Sequence, residues 1–130
     1  MALRLRPKRF GPVFVRFDGG EGISFATDGD EPGQSFPPHD KPVLTLMAAL
    51  GHCLVESIRM VARQDDTVLE PFAISVTAEK SIEGPGRLQK VECRIHGAVT
   101  KDAESADILV KTAKEICTVS NSMNSDISVV

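Results

Sequence analysis

The feature that most constrains this chain is the run from Pro42 to Val55, 14 residues without a charged side chain. Asp40, Lys41 and Pro42 read as a helix start, with an N-capping acid and a proline in the first turn, and the helical pattern continues to about Arg63. Its first half carries Val43, Leu44, Leu46, Met47, Ala48, Ala49 and Leu50, so it has no polar face. A helix that is apolar all round belongs in an interior. The run falls short of the roughly 20 apolar residues needed to cross a bilayer. The expectation is a central, buried helix and no membrane span.

The segments around it must cover that helix. Val13, Val15 and Phe17 alternate with Phe14 and Arg16, Asp18 to Glu21 supply turn chemistry, and Ile23 to Thr27 return, which is a hairpin. Asp28 to Asp40, with Pro32, Gly33, Pro37 and Pro38, reads as a connector. Beyond the helix, Phe72, Ile74, Val76 and Ala78 show the period of two of a half-buried strand. Glu83 to Gly86 turn the chain into a partner strand with Val91, Cys93 and Ile95 facing inward. From Asp102, Ala106, Leu109, Val110, Ala113 and Ile116 recur at helical intervals, and this second helix ends near Cys117. Thr118 to Ser125 reads as a polar loop and Ile127 to Val130 as a last strand. Hairpins interrupted by single helices favour an antiparallel α+β arrangement over a parallel βαβ sheet.

A length of 130 residues suits one domain, residues 1–130, with residues 1–9 as a basic N-terminal arm holding Arg4, Arg6, Lys8 and Arg9. The net charge of −3 gives no overall field for nucleic acid or anionic lipid, and the arm reads as a solvated terminus leading into a strand. The N-terminus lacks the apolar stretch of a secretory signal, so the expected compartment is the cytoplasm. Three cysteines, an odd number, in a reducing compartment point to a transient, chemical bridge rather than a permanent one.

Cys53 lies deep in the first helix, away from the free amides of a helix N-terminus, so a reactive thiolate there needs another source of stabilisation. Taken by itself it reads as a buried small hydrophobe rather than a nucleophile. Cys117 stands 64 residues later (117 − 53), where the second helix opens into the polar segment. Cys93 reads as a packing residue on the inward face of its strand. There is no C-x-x-C and no H-x-x-x-H, so His39, His52 and His96 make a weak case for zinc or a Cys/His hydrolase.

The residues around two of the cysteines carry a resemblance. PVLTLMAALGHC, residues 42–53, resembles the apolar helix and Ala-Ala-Leu-Gly-x-Cys segment of the OsmC/Ohr proteins. CTVSNSMNSDISVV, residues 117–130, resembles their second motif, a Cys ending a helix before a Ser/Asn-containing loop and the last strand. The resemblance covers about residues 10–130 and implies an intertwined homodimer with antiparallel sheets wrapped around two central helices. It implies a cytoplasmic, thiol-dependent peroxidase for organic hydroperoxides, with no bound cofactor or metal and with an external dithiol as reductant. By motif position Cys53 corresponds to the peroxidatic cysteine and Cys117 to the resolving one.

The family also places an arginine from the N-terminal strands over the reactive cysteine, and Arg16 holds that element position; the alternation reads it equally as a solvent-facing strand arginine. The glutamate that holds this arginine in the family stands nine or ten residues before the cysteine, where this chain has Leu44 and Val43. Glu56, one turn after Cys53, is a substitute anchor, and His52 reads as a neighbouring or interface group. A surface of Leu46, Ala49 and Leu50 is available to an apolar peroxide tail. The missing glutamate keeps a second reading open, a non-catalytic binding or redox-sensing module of the same fold.

Overall fold

The structure, a computed structural model, describes residues 6–130, so Arg4 of the basic arm lies outside the described residues. The elements run β1 (Arg9–Phe17), β2 (Ile23–Ala26), α1 (Pro42–Gln64), β3 (Phe72–Lys80), β4 (Leu88–His96), α2 (Ala103–Ile116), α3 (Thr118–Ser122) and β5 (Asp126–Val129). The strands form one sheet in the order β2-β1-β3-β4-β5. The fold class is α+β, as the alternating and helical periods predict.

Strand alternation gives the sheet its two faces. Val13, Val15 and Phe17 of β1, Ile74 and Val76 of β3, and Val91 and Cys93 of β4 are buried on one face. Register places Val15 opposite Ile74 and Ile74 opposite Ile95, so these side chains line up across three strands. Asp18 closes the β1-β2 turn by accepting from the amides of Gly20 and Gly22 at 2.7 and 3.0 Å. The sheet departs from the wholly antiparallel expectation at one edge, where β5 pairs with β4 in parallel. The chain between them passes through α2 and α3, and a helical crossover of more than a dozen residues returns a strand in the direction it left.

Helix α1 lies on the apolar face, with Met47, Ala48, Leu50, Leu54, Val55, Ile58 and Val61 buried. Its approach is close because of Gly51. A Cβ there would stand 2.8 Å from Val15 Cγ2 and 3.1 Å from Val76 Cγ2, inside ordinary van der Waals contact. At 23 residues, with mean hydropathy 1.4 over its most apolar window, α1 has the length and composition of a bilayer span. Its buried residues nonetheless pack on the sheet, on α2 and on α3.

The helix is not covered all round, however. Leu46 and Met60 remain 42% and 51% exposed, because one sheet covers one face and α2 and α3 cover only part of the other. The N-cap is Lys41, in extended conformation and without a side-chain cap, so Asp40 does not take that role; the Thr45 hydroxyl instead donates back to the carbonyls of Pro38 and Lys41.

Helix α2 starts as its sequence predicts. Asp102 is the N-cap and accepts from the Ser105 amide at 3.0 Å and from its hydroxyl at 2.6 Å, and these bonds hold the Asp102 carboxyl below the usual range. The segment after Cys117, expected as loop, begins with α3, a turn-length helix that carries the chain to β5.

Candidate functional site

Cys117 sits between two helices. Its backbone leaves the helical region at φ −68°, ψ 105°, which ends α2 and begins α3 at a single residue. Its amide donates to the Lys114 carbonyl at 3.3 Å and its carbonyl accepts from the Asn121 amide at 3.0 Å. Helices α2 and α3 both pack on α1, and the Cys117 thiol comes near enough to the Cys53 thiol for the two to interact. Cys53, Cys93 and Cys117 are all free thiols.

The two thiols of the pair differ in what can reach them. Cys117 is fully buried, whereas Cys53 is half-buried on the open side of α1. Burial pushes the Cys117 pKa up. The Ser120 amide and hydroxyl pull against that rise, and the neighbouring Cys53 thiol adds to it. Cys117 is therefore held as a neutral thiol at ordinary pH, shut away from solvent with the Cys53 thiol beside it. Cys53 is the member of the pair that a dissolved reagent meets. Such a pair can close a disulfide once the outer sulfur has been oxidised.

Cys93 lies on β4 and is also fully buried. Burial first, then the Cys117 thiol, pushes its pKa up to about 12, with Lys114 opposing and Glu92 adding to the rise. It packs as a small apolar side chain, as its strand position predicts.

Arg16 does not reach the pair. It follows Val15 on a strand whose odd-numbered residues face α1, so it projects from the opposite face of the sheet. There its guanidinium donates to the carbonyls of Glu31, Gly29 and Asp28 at 2.6, 3.0 and 3.3 Å, fastening the connector to β1. Within one chain Arg16 is a loop clamp and is not brought to Cys53.

Glu56 pairs with Arg59 of its own helix. Arg59 Nη1 donates to Glu56 Oε1 at 2.9 Å, and its guanidinium lies over the Phe17 ring at 5.3 Å with a further 3.4 Å bond to the Gly20 carbonyl. His52 Nε2 stands 3.6 Å from the same Glu56 oxygen, and its ring meets Phe25 edge-on at 5.5 Å. A charged cluster thus flanks Cys53 on α1, and among the described residues no guanidinium is bonded to either sulfur of the pair.

Sequence reasoning missed Arg59 and Ser120. Each carries a signal in retrospect: Arg59 is three residues after Glu56, the spacing of a helical ion pair, and Ser120 is three after Cys117, the spacing at which an N3 residue meets a helix cap. The three histidines lie apart. His39 packs on Phe36, His52 on Phe25, and His96 Nε2 is 2.8 Å from the Ser75 hydroxyl. Among the described residues no His, Cys, Asp and Glu side chains gather as a metal site.

The apolar surface near the pair also differs from the sequence expectation. Leu50 belongs to the core at 1% exposure, while Leu46 and Ala49 stay open. Leu46, two turns before Cys53, borders a groove of about 560 Å³ whose walls include Phe10, Val43, Leu88 and Met123.

Comparison with known proteins places these features. A sequence model of the family described as OsmC-like protein matches residues 39–130. Among solved structures, the organic hydroperoxide resistance protein OsmC of Legionella pneumophila is similar at 19% identity over 92% of this chain and 95% of that one, with a TM-score of 0.56. The organic hydroperoxide resistance protein OhrB of Bacillus subtilis is similar at 15% identity over 96% of both chains, TM-score 0.56. An OsmC-like protein of Mycoplasma pneumoniae is similar at 11% identity over 98% of both chains, TM-score 0.60. At these identities the likeness is one of fold. No curated protein sequence matches significantly.

Proposed function

Because the chain belongs to the OsmC-like protein family, with the OsmC-like fold, we propose that it reduces organic hydroperoxides through a thiol cycle on Cys53 and Cys117. The observation that carries this reading is the proximity of a half-buried Cys53 thiol to a fully buried Cys117 thiol.

The cycle begins with the Cys53 thiolate attacking the terminal oxygen of ROOH. The O–O bond breaks, RO⁻ takes a proton and leaves as ROH, and Cys53 becomes a sulfenic acid. The Cys117 sulfur then attacks the Cys53 sulfur, its proton leaves with the hydroxyl as water, and a Cys53–Cys117 disulfide forms. An external dithiol reduces that bond by two thiol–disulfide exchanges, becoming a disulfide itself and restoring both thiols. Burial of Cys117 suits the resolving role, since a neutral enclosed thiol meets the sulfenic acid and is kept from peroxide. The peroxide's organic group lies on Leu46 and the groove beyond it, which favours organic peroxides over hydrogen peroxide.

A homodimer belongs to the same reading. Leu46, Ala49, Cys53 and Met60 share the open side of α1, and a second copy laid there would cover an apolar stripe and enclose the outer thiol. The cytoplasm, where dithiol reductants keep cysteines reduced, is the fitting compartment.

The test is turnover of cumene hydroperoxide with a small dithiol as reductant. Wild-type protein should consume peroxide continuously and Cys53→Ser protein not at all, and Cys117→Ser protein given peroxide without the dithiol should stop at a sulfenic acid after one equivalent. Peroxide consumption by Cys53→Ser protein equal to wild type would remove the proposal. The second reading, a binding or redox-sensing module, draws on the same geometry: Arg16 is spent on loop carbonyls and Arg59 on Glu56. It predicts that wild-type Cys53 oxidises once and slowly, without sustained turnover.

A further inference from the structure

Helix α2 leaves a cleft between itself and the sheet. It packs on α1 and α3 and scarcely touches β4 or β5, so the inner face of the sheet opens toward solvent at its β4-β5 corner. The cleft measures about 620 Å³, inside the range of about 300–1,000 Å³ typical of small-molecule sites. Ile95 and Val129 of the sheet and Val99 of the segment before α2 form one wall, and Ala106 and Val110 of α2 form the other. Ile95, Ala106, Val110 and Val129 are only half-buried, with their apolar surface turned toward the gap.

The charge along this cleft is mostly of one sign. Lys101, Lys111 and Lys114 line it, and Asp107 is the one carboxylate among the described residues that do. Lys101 is 89% exposed with Glu70 at 3.9 Å, and Lys111 is exposed, so both stand at the mouth. Lys114 differs. It is half-buried, it takes part in no ion pair among the described residues, and its charge reaches inward far enough to oppose the pKa rise of Cys93 on the inner face of β4. A partly desolvated ammonium without a counter-ion is destabilising, and an anion placed beside it offsets that loss.

Apolar walls select hydrocarbon, and a recessed ammonium selects a negative charge at one end of it. We propose that the cleft between α2 and the β4-β5 corner binds a hydrophobic monocarboxylate, its hydrocarbon held between the two walls and its carboxylate on Lys114. A nucleic acid would use the lysines and leave the walls bare; a neutral hydrocarbon would fill the walls and leave Lys114 unmatched. The cleft shares no residue with the groove beyond Leu46, and its occupation does not rest on the peroxidase reading.

The experiment titrates octanoate, octan-1-ol, octylammonium and acetate into the reduced full-length protein by calorimetry. The expected result is saturable binding of octanoate, with the alcohol, the ammonium and the short carboxylate each weaker by about tenfold or more. Lys114→Met keeps much of the side chain's bulk and removes its charge; it should weaken octanoate by about tenfold and leave octan-1-ol unchanged. Ala106→Trp should fill the cleft and abolish octanoate binding, whereas Arg87→Glu, at the edge of the groove beyond Leu46, should leave it as in wild type. Circular dichroism confirms that the variants fold, and Lys114→Met carries the test by itself should Ala106→Trp not. Absence of octanoate binding, equal binding of octanoate and octan-1-ol, or octanoate binding untouched by Lys114→Met would overturn the proposal. Loss of binding through Arg87→Glu in place of Lys114→Met would assign the ligand to the other groove and overturn it as well.

Discussion

Replacing Gly51 with alanine sets two effects of known sign against each other. In an exposed helix interior the change stabilises by about 1 kcal/mol, because glycine gives up more backbone freedom on folding. Here the added Cβ falls 2.8 Å from Val15 Cγ2 and 3.1 Å from Val76 Cγ2. Carbon atoms prefer separations of about 3.5–4.0 Å, so helix and sheet must part by roughly half an ångström or more. Val15 and Val76 are both 0% exposed and have nowhere to turn. Overpacking of this kind costs about 1–3 kcal/mol. The overlap wins, and Gly51→Ala should lower stability by about 1 kcal/mol in urea denaturation of the reduced protein. Trimming Val15 to alanine makes room for the new methyl, so the double variant Val15→Ala/Gly51→Ala should be more stable than the two single losses add to, by about 1 kcal/mol. The same displacement shifts Cys53, two residues on, relative to Cys117 and should change the rate of disulfide closure. A Gly51→Ala protein more stable than wild type, with additive behaviour in the double variant, would refute the close approach of helix and sheet.

Three further outcomes follow from the geometry. Cys93 has its folded pKa raised to about 12 from 9.0, so its neutral form contributes stability that is complete below about pH 9 and is lost as pH climbs toward 12; Cys93→Val protein should lose less stability than wild type between pH 8 and pH 10, by about 1 kcal/mol, in paired denaturation curves. Arg16→Ala removes three bonds to the connector carbonyls and should raise amide hydrogen exchange in residues 28–34, with little change in α1. Glu56→Gln should free the Arg59 guanidinium from its 2.9 Å partner at a stability cost of about 1 kcal/mol or less, the range for a partly exposed helical pair.

The elements were legible because each has a period that only one secondary structure repeats. Val13, Val15 and Phe17 alternate and are buried together, and Asp102 caps the helix that its spacing announces. What escaped were properties of assembled neighbours. The parallel edge strand follows from where the α2–α3 crossover delivers the chain, which no local pattern around Ile127 encodes. The uncapped start at Lys41 and the single turn at Thr118–Ser122 lie within the few residues where helix ends are decided by competing side-chain and backbone bonds.

The thiol pair was visible only through the motif resemblance, since nothing local tells Cys53 from a core residue. Its unequal burial depends on three helices meeting. Arg16 shows the limit of matching by element position. One strand residue decides which face a side chain leaves from, and position 16 lies one step from the face toward α1. The Glu56–Arg59 pair lies at a readable helical spacing, while the contacts of Arg59 with Phe17 and the Gly20 carbonyl needed the β1-β2 hairpin in place.

The most direct measurement is peptide mapping of reduced protein after one equivalent of cumene hydroperoxide, with free thiols blocked before digestion. The account predicts one equivalent of cumyl alcohol, a disulfide joining the peptides of Cys53 and Cys117, and a blocked, unoxidised Cys93. An undiminished count of free thiols, or oxidation of Cys53 with Cys117 still free, would contradict it.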